Sequence, residues 1–106
     1  MLVVWEPILP TDLGAPSANT MARISDRRAT QFWDPQHLVA QELNRTARAM
    51  PERPEMHCCE DRGFFWDQAI LYAPNLRWSQ QAAPLLWDGP VYKVEPALVL
   101  ALGKLQ

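Results

Sequence analysis

The fold of this chain is decided near its beginning, where the sequence reads Leu2-Val3-Val4-Trp5-Glu6-Pro7-Ile8-Leu9. The apolar run is nearly continuous and contains β-branched residues, a pattern typical of a strand that is buried on both faces. Pro7 has no N–H for a hydrogen-bond ladder, so strand pairing should fail near that residue. We therefore expect a buried strand here, and we interpret the other elements relative to it.

The clearest helix signal is the pair Asp34-Pro35. Asp is a preferred N-cap, and Pro is well tolerated at the first helical position. These residues predict a helix from Pro35 to about Met50. Its predicted apolar face comprises Leu38, Val39, Leu43, Thr46, Ala47 and Met50. Two further residues fall on the polar side and are predicted to be solvated: His37 and Asn44.

Shorter signals predict the remaining elements, and their order is typical of a mixed α/β fold in one domain, residues 1–106. In chain order they are a helix capped by Ser17 or Asn19 and running to about Ile24, an extended Thr30–Trp33, a central strand Phe64–Tyr72, a hairpin of Leu85–Trp87 with Val91–Val94, and a helix Ala97–Leu102 that Pro96 begins.

This order resembles the C-terminal part of the thioredoxin-like fold. Val3–Leu9, Gln31–Asp34 and Asp88–Val91 are similar to segments of longer bacterial thioredoxin-like proteins of no settled function. The resemblance implies a three-layer arrangement, truncated at the N-terminus, with a mixed sheet of three to five strands and two to three helices. The family carries a redox Cys-X-X-Cys after its first strand. Because this chain has no such segment, no catalytic residue carries over, and we expect a non-enzymatic role.

Within that interpretation, a strand is missing between the counterparts of Leu2–Leu9 and Phe64–Tyr72. An open apolar strand edge promotes aggregation, and proteins usually cover it. Either a homodimer closes the gap, or Leu2–Leu9 moves next to Phe64–Tyr72 within one chain. We favour the homodimer, which would make this gap a protein-interaction surface. Its expected interface residues are Val3, Trp5, Phe65 and Trp66.

The alternative function depends on the cluster His57-Cys58-Cys59. A thiolate beside an imidazolium can be nucleophilic, and neighbouring thiols bind soft metals, so the chain could be a thiol-based redox or soft-metal-binding protein. We favour a simpler interpretation, in which the cysteines are incidental to a surface loop or one of them packs inward as a small hydrophobe. Vicinal cysteines rarely bridge each other, so we expect no intrachain disulfide. A second ligand pair for a closed zinc site is absent from the sequence, and we expect neither metal nor cofactor.

Five tryptophans could line a pocket for a flat ligand or a cation. Because they occur at strand spacing, we favour a place for them in the core. The net charge of −2 gives no basic surface of the kind that binds nucleic acid. Neither a signal peptide nor an apolar run long enough for a membrane span is found in the sequence. We therefore expect a cytoplasmic protein with no nucleic-acid or membrane partner.

Overall fold

The computed structural model describes residues 1–52, 59–61, 64–77 and 83–105. It contains helices and strands together, as the sequence predicted. The elements are β1 (Leu2–Trp5), α1 (Ala18–Met21), β2 (Thr30–Trp33), α2 (Leu38–Ala49), β3 (Glu60–Asp61), β4 (Phe64–Phe65) and α3 (Val91–Lys104).

Strands β1 and β2 form a parallel pair in which Leu2 lies opposite Thr30 and Trp5 lies opposite Trp33. Strand β1 ends before Pro7, as predicted. Its burial differs from the prediction, because Leu2 and Val4 are 69% and 37% exposed whereas Val3 and Trp5 are half-buried. Helix α1 lies on the half-buried face, where Gln31 Nε2 donates a hydrogen bond to the Met21 carbonyl oxygen at 3.0 Å. The prediction that both faces are buried is therefore wrong.

The apolar core forms where α2 meets β4. Ala47 of α2 is fully buried and lies with Phe65 and Trp87, and Leu43, Met50 and Ile70 flank this group. The rings of Phe65 and Trp87 meet edge to face, with centroids 6.0 Å apart. The predicted apolar face of α2 is confirmed for Leu43, Ala47 and Met50, whereas Leu38, predicted on the same face, is 61% exposed. Asn44 is not solvated: it is buried, and its Nδ2 donates to Glu60 Oε1 at 3.0 Å.

The second half of the chain differs most from the prediction. Strand β4 contains only Phe64–Phe65, and the chain turns at Asp67, whose φ is 57°. Beyond that turn, isolated antiparallel bridges join Gln68 to Pro90 and Leu71 to Leu86. Among the described residues, the strands form two two-stranded sheets rather than one sheet of three to five strands.

The hairpin predicted around Asp88-Gly89 is also wrong, because Val91–Val94 is the first turn of α3. Pro90, in an extended conformation, is the N-cap of that helix. Pro96 lies inside α3 instead of beginning it. A proline there cannot donate to the carbonyl of residue 92, and the helix accommodates this single lost bond in its second turn.

Candidate functional site

The parallel pairing of β1 and β2 brings two similar tetrapeptides side by side. Val4-Trp5-Glu6-Pro7 ends the first strand, and Phe32-Trp33-Asp34-Pro35 ends the second. The two strands are in a register that places Trp5 opposite Trp33, so the acidic residue that follows each tryptophan lies at the carboxyl edge of the pair. In α/β proteins, ligands often bind at the carboxyl ends of parallel strands. This edge is therefore the candidate functional site.

Asp34 connects the strand pair to α2. Its N–H donates to the Trp5 carbonyl oxygen at 2.8 Å, which extends the ladder by one bond. Its two carboxylate oxygens accept hydrogen bonds from the N–H groups of Leu38 and Val39 at 2.9 and 2.8 Å. Asp34 thus satisfies the first two amides of the helix. The predicted position of the helix start is wrong, because the helix begins at Leu38 and not at Pro35, and its N-cap is His37 and not Asp34.

His37 and Glu6 are hydrogen-bonded to each other at the same edge. His37 Nδ1 lies 2.9 Å from Glu6 Oε2, and the two side chains are only 19% and 11% exposed. His37 has a φ of 57°, the left-handed region, and it is the residue immediately before α2. The prediction that His37 is solvated on the helix surface is therefore wrong, because the turn before α2 directs the imidazole towards β1.

The environment of Glu6 has opposing effects on its acidity. Burial raises the pKa of the Glu6 carboxyl group, the nearby Asp34 carboxylate adds to that rise, and the hydrogen bond and charge of His37 act against it. The net effect is a pKa of Glu6 above its ordinary value. The carboxylate form of Glu6 is thus partly desolvated, and it interacts more strongly with a nearby positive charge than an exposed carboxylate does.

One side of this edge opens into a cleft of about 630 Å³ that contains both aligned tryptophans. We call it the indole cleft. Trp5 is held in place there because its Nε1 donates to Gln31 Oε1 at 2.8 Å, and Gln31 is itself bonded to Met21 of α1. The cleft is lined by Trp5, Glu6, Ile8, Thr11, Asp12, Leu13, Gly14, Ala15, Pro16, Thr20 and Trp33.

The other side of β1 borders a second cleft, of about 500 Å³, which we call the edge cleft. Three of the four residues predicted to form an interface line it: Val3, Trp5 and Trp66. The fourth, Phe65, is 2% exposed and belongs to the core, so its predicted place at an interface is wrong. The remaining lining residues are Val4, Glu6, Ile8, Cys59, Asp67, Gln68 and Val91.

The edge cleft lies beside the unpaired edge of β1. The amide of Thr30 donates to the Met1 carbonyl and that of Asp34 to the Trp5 carbonyl. In a parallel ladder with this register, alternate residues face the partner strand. The N–H and C=O groups of Leu2 and Val4 therefore point away from β2, and no strand pairs with that edge among the described residues.

The predicted thiol site can be followed only in part. His57 and Cys58 lie outside the described residues. Cys59 is 2% exposed, and in the structure it is disulfide-bonded, contrary to the expectation that no intrachain disulfide forms. In the part of the chain that the structure describes, no group of three or more histidine, cysteine, aspartate or glutamate side chains could hold a metal ion.

The sequence analysis did not identify Glu6 as a residue of a functional site. The signal that identifies it is the repeated pattern of an apolar residue, Trp, an acidic residue and Pro at residues 4–7 and 32–35. An acidic side chain directly after each of two parallel strands predicts two carboxyl groups at one edge. Only the pairing shows that the first of them contacts His37, 31 residues away in the sequence.

Comparison of the chain with protein-family models, with curated proteins and with solved structures gives no match. Among the described helices, none has the length and apolar character needed to cross a membrane. The resemblance to thioredoxin-like proteins therefore remains a prediction, and the function has to be inferred from the geometry of the two clefts.

Proposed function

We propose that this chain is a non-enzymatic interaction protein that forms a homodimer through the free edge of β1. The single observation that supports this proposal is the unpaired edge of Leu2 and Val4 beside the edge cleft. An exposed strand edge of apolar residues binds another strand readily, because each unpaired N–H and C=O group gains a partner. A second copy of the same strand is the occupant to which we commit.

The sequence of β1 suits pairing with itself. In an antiparallel arrangement about a twofold axis, Leu2 of one copy would lie opposite Val4 of the other, and the two Val3 residues would meet on the axis. Leu2 and Val4 have their N–H and C=O groups on the free edge, so they would form the hydrogen-bonded pairs of this ladder. No like charges lie opposite each other in these three positions, so the register carries no electrostatic cost.

Neighbouring apolar side chains would add contact area to this pairing. Leu2 and Val4 project from the exposed face of β1, and Val91 is 41% exposed beside the edge cleft. A stable dimer interface usually buries more than about 1,000 Å² in total. Two four-residue strands alone fall short of that area, so the proposal requires the cleft walls to take part.

The first test is the mass in solution, measured by light scattering on a sizing column with and without reductant. We expect a dimer in both conditions. The variant Val4→Lys places a charge on the free edge at a side chain that is already exposed, so it should give a folded monomer. The matched control is Phe32→Lys, on the same exposed face but on β2, which should remain dimeric.

A cross-linking experiment then tests the register. Two Val3→Cys residues would meet as a non-hydrogen-bonded pair with Cα atoms about 4.5 Å apart, within the range that a disulfide spans. Leu2→Cys would face Val4 of the other copy and should not cross-link to itself. Peptide mapping distinguishes these products from those of the native cysteines. A monomeric wild-type chain, or a dimer that persists in Val4→Lys, would refute the pairing through β1.

The mass measurement with reductant tests the second candidate function, that of a thiol-based redox or soft-metal-binding protein. The observation in its favour is the disulfide at the buried Cys59. If that function is correct, reductant should change the mass or the fold of the chain, and Cys59→Ser should abolish the effect. An unchanged dimer in reductant would favour the strand pairing instead.

A further inference from the structure

We propose that the indole cleft is a binding site for a small organic cation, such as a methylated ammonium compound. The wall of this cleft combines two tryptophan rings with carboxylates, the chemistry that recognises such cations in proteins. The proposal concerns a different cleft from the dimer contact and does not depend on it.

The two indoles are positioned before any ligand arrives. Trp5 and Trp33 lie opposite each other in the parallel register, so their side chains leave the same face of the sheet on strands about 4.8 Å apart. The hydrogen bonds from Trp5 to Gln31 and from Gln31 to Met21 hold the first ring in one orientation. A ring held in place in this way loses little conformational entropy when a ligand binds.

The charge of the cleft selects a cation. Its lining residues include the carboxylates of Glu6 and Asp12, and they include no lysine or arginine. Asp12 stays ionised because its Oδ2 accepts hydrogen bonds from the N–H groups of Leu9 and Ile8 at 2.7 and 2.8 Å, which lower its pKa. The partly desolvated Glu6 also lines this cleft. Although its Oε2 is hydrogen-bonded to His37 Nδ1, its carboxylate adds to the attraction of a cation over the indoles.

A quaternary ammonium ion fits this wall better than a metal ion does. It has no N–H groups and a low desolvation cost, and it gains most of its affinity from ring faces. A hard divalent metal would instead need several oxygen ligands converging on one point. Within the described residues, no such group of metal-binding side chains is present.

The experiment uses fluorine NMR of the full chain labelled with 5-fluorotryptophan. The five resonances are assigned with single Trp→Phe variants. Tetramethylammonium chloride is titrated to about 100 mM, a range that detects even weak millimolar binding. We expect saturable shifts at Trp5 and Trp33, whereas the resonance of Trp87, which is buried in the core, should not move. Sodium chloride at equal ionic strength and tert-butanol, a neutral molecule of similar shape, should produce no saturable shift.

Two variants test the roles of the carboxylate and the rings. Glu6→Gln removes the charge and keeps a hydrogen-bonding oxygen near His37, and it should weaken binding roughly 2-fold to 30-fold, the range of a cation–π or counter-charge contribution. Trp33→Leu should weaken it to a similar extent, and the Trp87 resonance reports whether each variant is folded. The monomeric Val4→Lys variant should bind as the wild type does.

Three outcomes would overturn the proposal. The first is the absence of saturable shifts at Trp5 and Trp33 over the whole titration. The second is an equal response to tert-butanol, which would show that the cleft binds molecules of this shape whether or not they carry a positive charge. The third is undiminished affinity in both folded variants, which would place the bound cation elsewhere.

Discussion

Replacing Asp34 by alanine should destabilise the protein, because this one side chain joins the strand pair to α2. Its carboxylate accepts hydrogen bonds from the N–H groups of Leu38 and Val39, and the residue is only 8% exposed. Helix α2 in turn carries Ala47 and Asn44, both of which are buried. A change at Asp34 is therefore transmitted to the core through the beginning of this helix.

The size of the effect follows from three contributions. Loss of a helix cap costs about 1 kcal/mol in a typical protein. Loss of a negative charge near the helix N-terminus costs about 0.5 to 1 kcal/mol more in a partly buried site. Water can reach the amide of the exposed Leu38 but less easily that of the half-buried Val39, so some desolvation cost is added. We expect Asp34→Ala to lower the free energy of unfolding by about 2 kcal/mol and Asp34→Asn by about half as much.

The assay is urea unfolding, followed by tryptophan fluorescence at one protein concentration so that self-association does not change the comparison. The matched control is Asp12→Ala. Asp12 also accepts hydrogen bonds from two backbone amides, but it lies on an exposed loop, and no helix begins there. That variant should unfold at nearly the same urea concentration as the wild type. If Asp34→Ala were as mild as Asp12→Ala, the carboxylate of Asp34 would not be needed to start α2, and this reasoning would be refuted.

Two further predictions concern single side chains. The hydroxyl group of Tyr72 is buried and has no hydrogen-bond partner among the residues that the structure describes. Tyr72→Phe should therefore leave stability unchanged or raise it by up to about 1 kcal/mol; a clear loss in urea unfolding would show that the hydroxyl has a partner. Burial raises the pKa of Glu6 above its ordinary value of 4.5, so just above that pH the folded chain binds this proton more tightly than the unfolded chain does. The stability of the wild type relative to Glu6→Gln should therefore fall as the pH rises above 4.5, and a relative rise in parallel urea titrations would contradict the assigned direction.

Much of the local structure could be predicted from the sequence, and the reasons are short-range. The steric limits of Pro7 end β1, and the Ser17 hydroxyl caps α1 by accepting a hydrogen bond from the Thr20 N–H at 3.2 Å. The apolar spacing of Leu43, Ala47 and Met50 identifies the face of α2 that meets the core. Each of these features depends on residues within about one or two helical turns of each other.

Two predictions from the sequence were wrong for a different reason: the hairpin strand at Val91–Val94 and the burial of both faces of β1. Val91–Val94 has the composition of a strand, yet it forms the first turn of α3. Pro90, the N-cap of that helix, is bridged to Gln68, and the Val91 N–H donates to the Asp67 carbonyl oxygen at 2.7 Å. The apolar run of β1 also suggested burial on both faces, but only the face of Val3 and Trp5 is covered by the described residues. Packing partners that lie far away in the sequence decide both outcomes, and local propensity cannot anticipate them.

The candidate site also combines features that depend on local sequence with features that depend on contacts between distant residues. The amino-acid sequence by itself determined where β1, α1, β2 and α2 would form, since the conformational preferences of prolines, caps and apolar periodicity act locally. Only the tertiary structure decided that β1 pairs with β2 in parallel and that Trp5 lies opposite Trp33. That pairing brings Glu6 within 2.9 Å of His37. It also leaves the other edge of β1, at Leu2 and Val4, without a paired strand among the described residues. Its register is selected by non-local hydrogen bonds and by burial of one face of the sheet, and these energies exist only once the chain has folded.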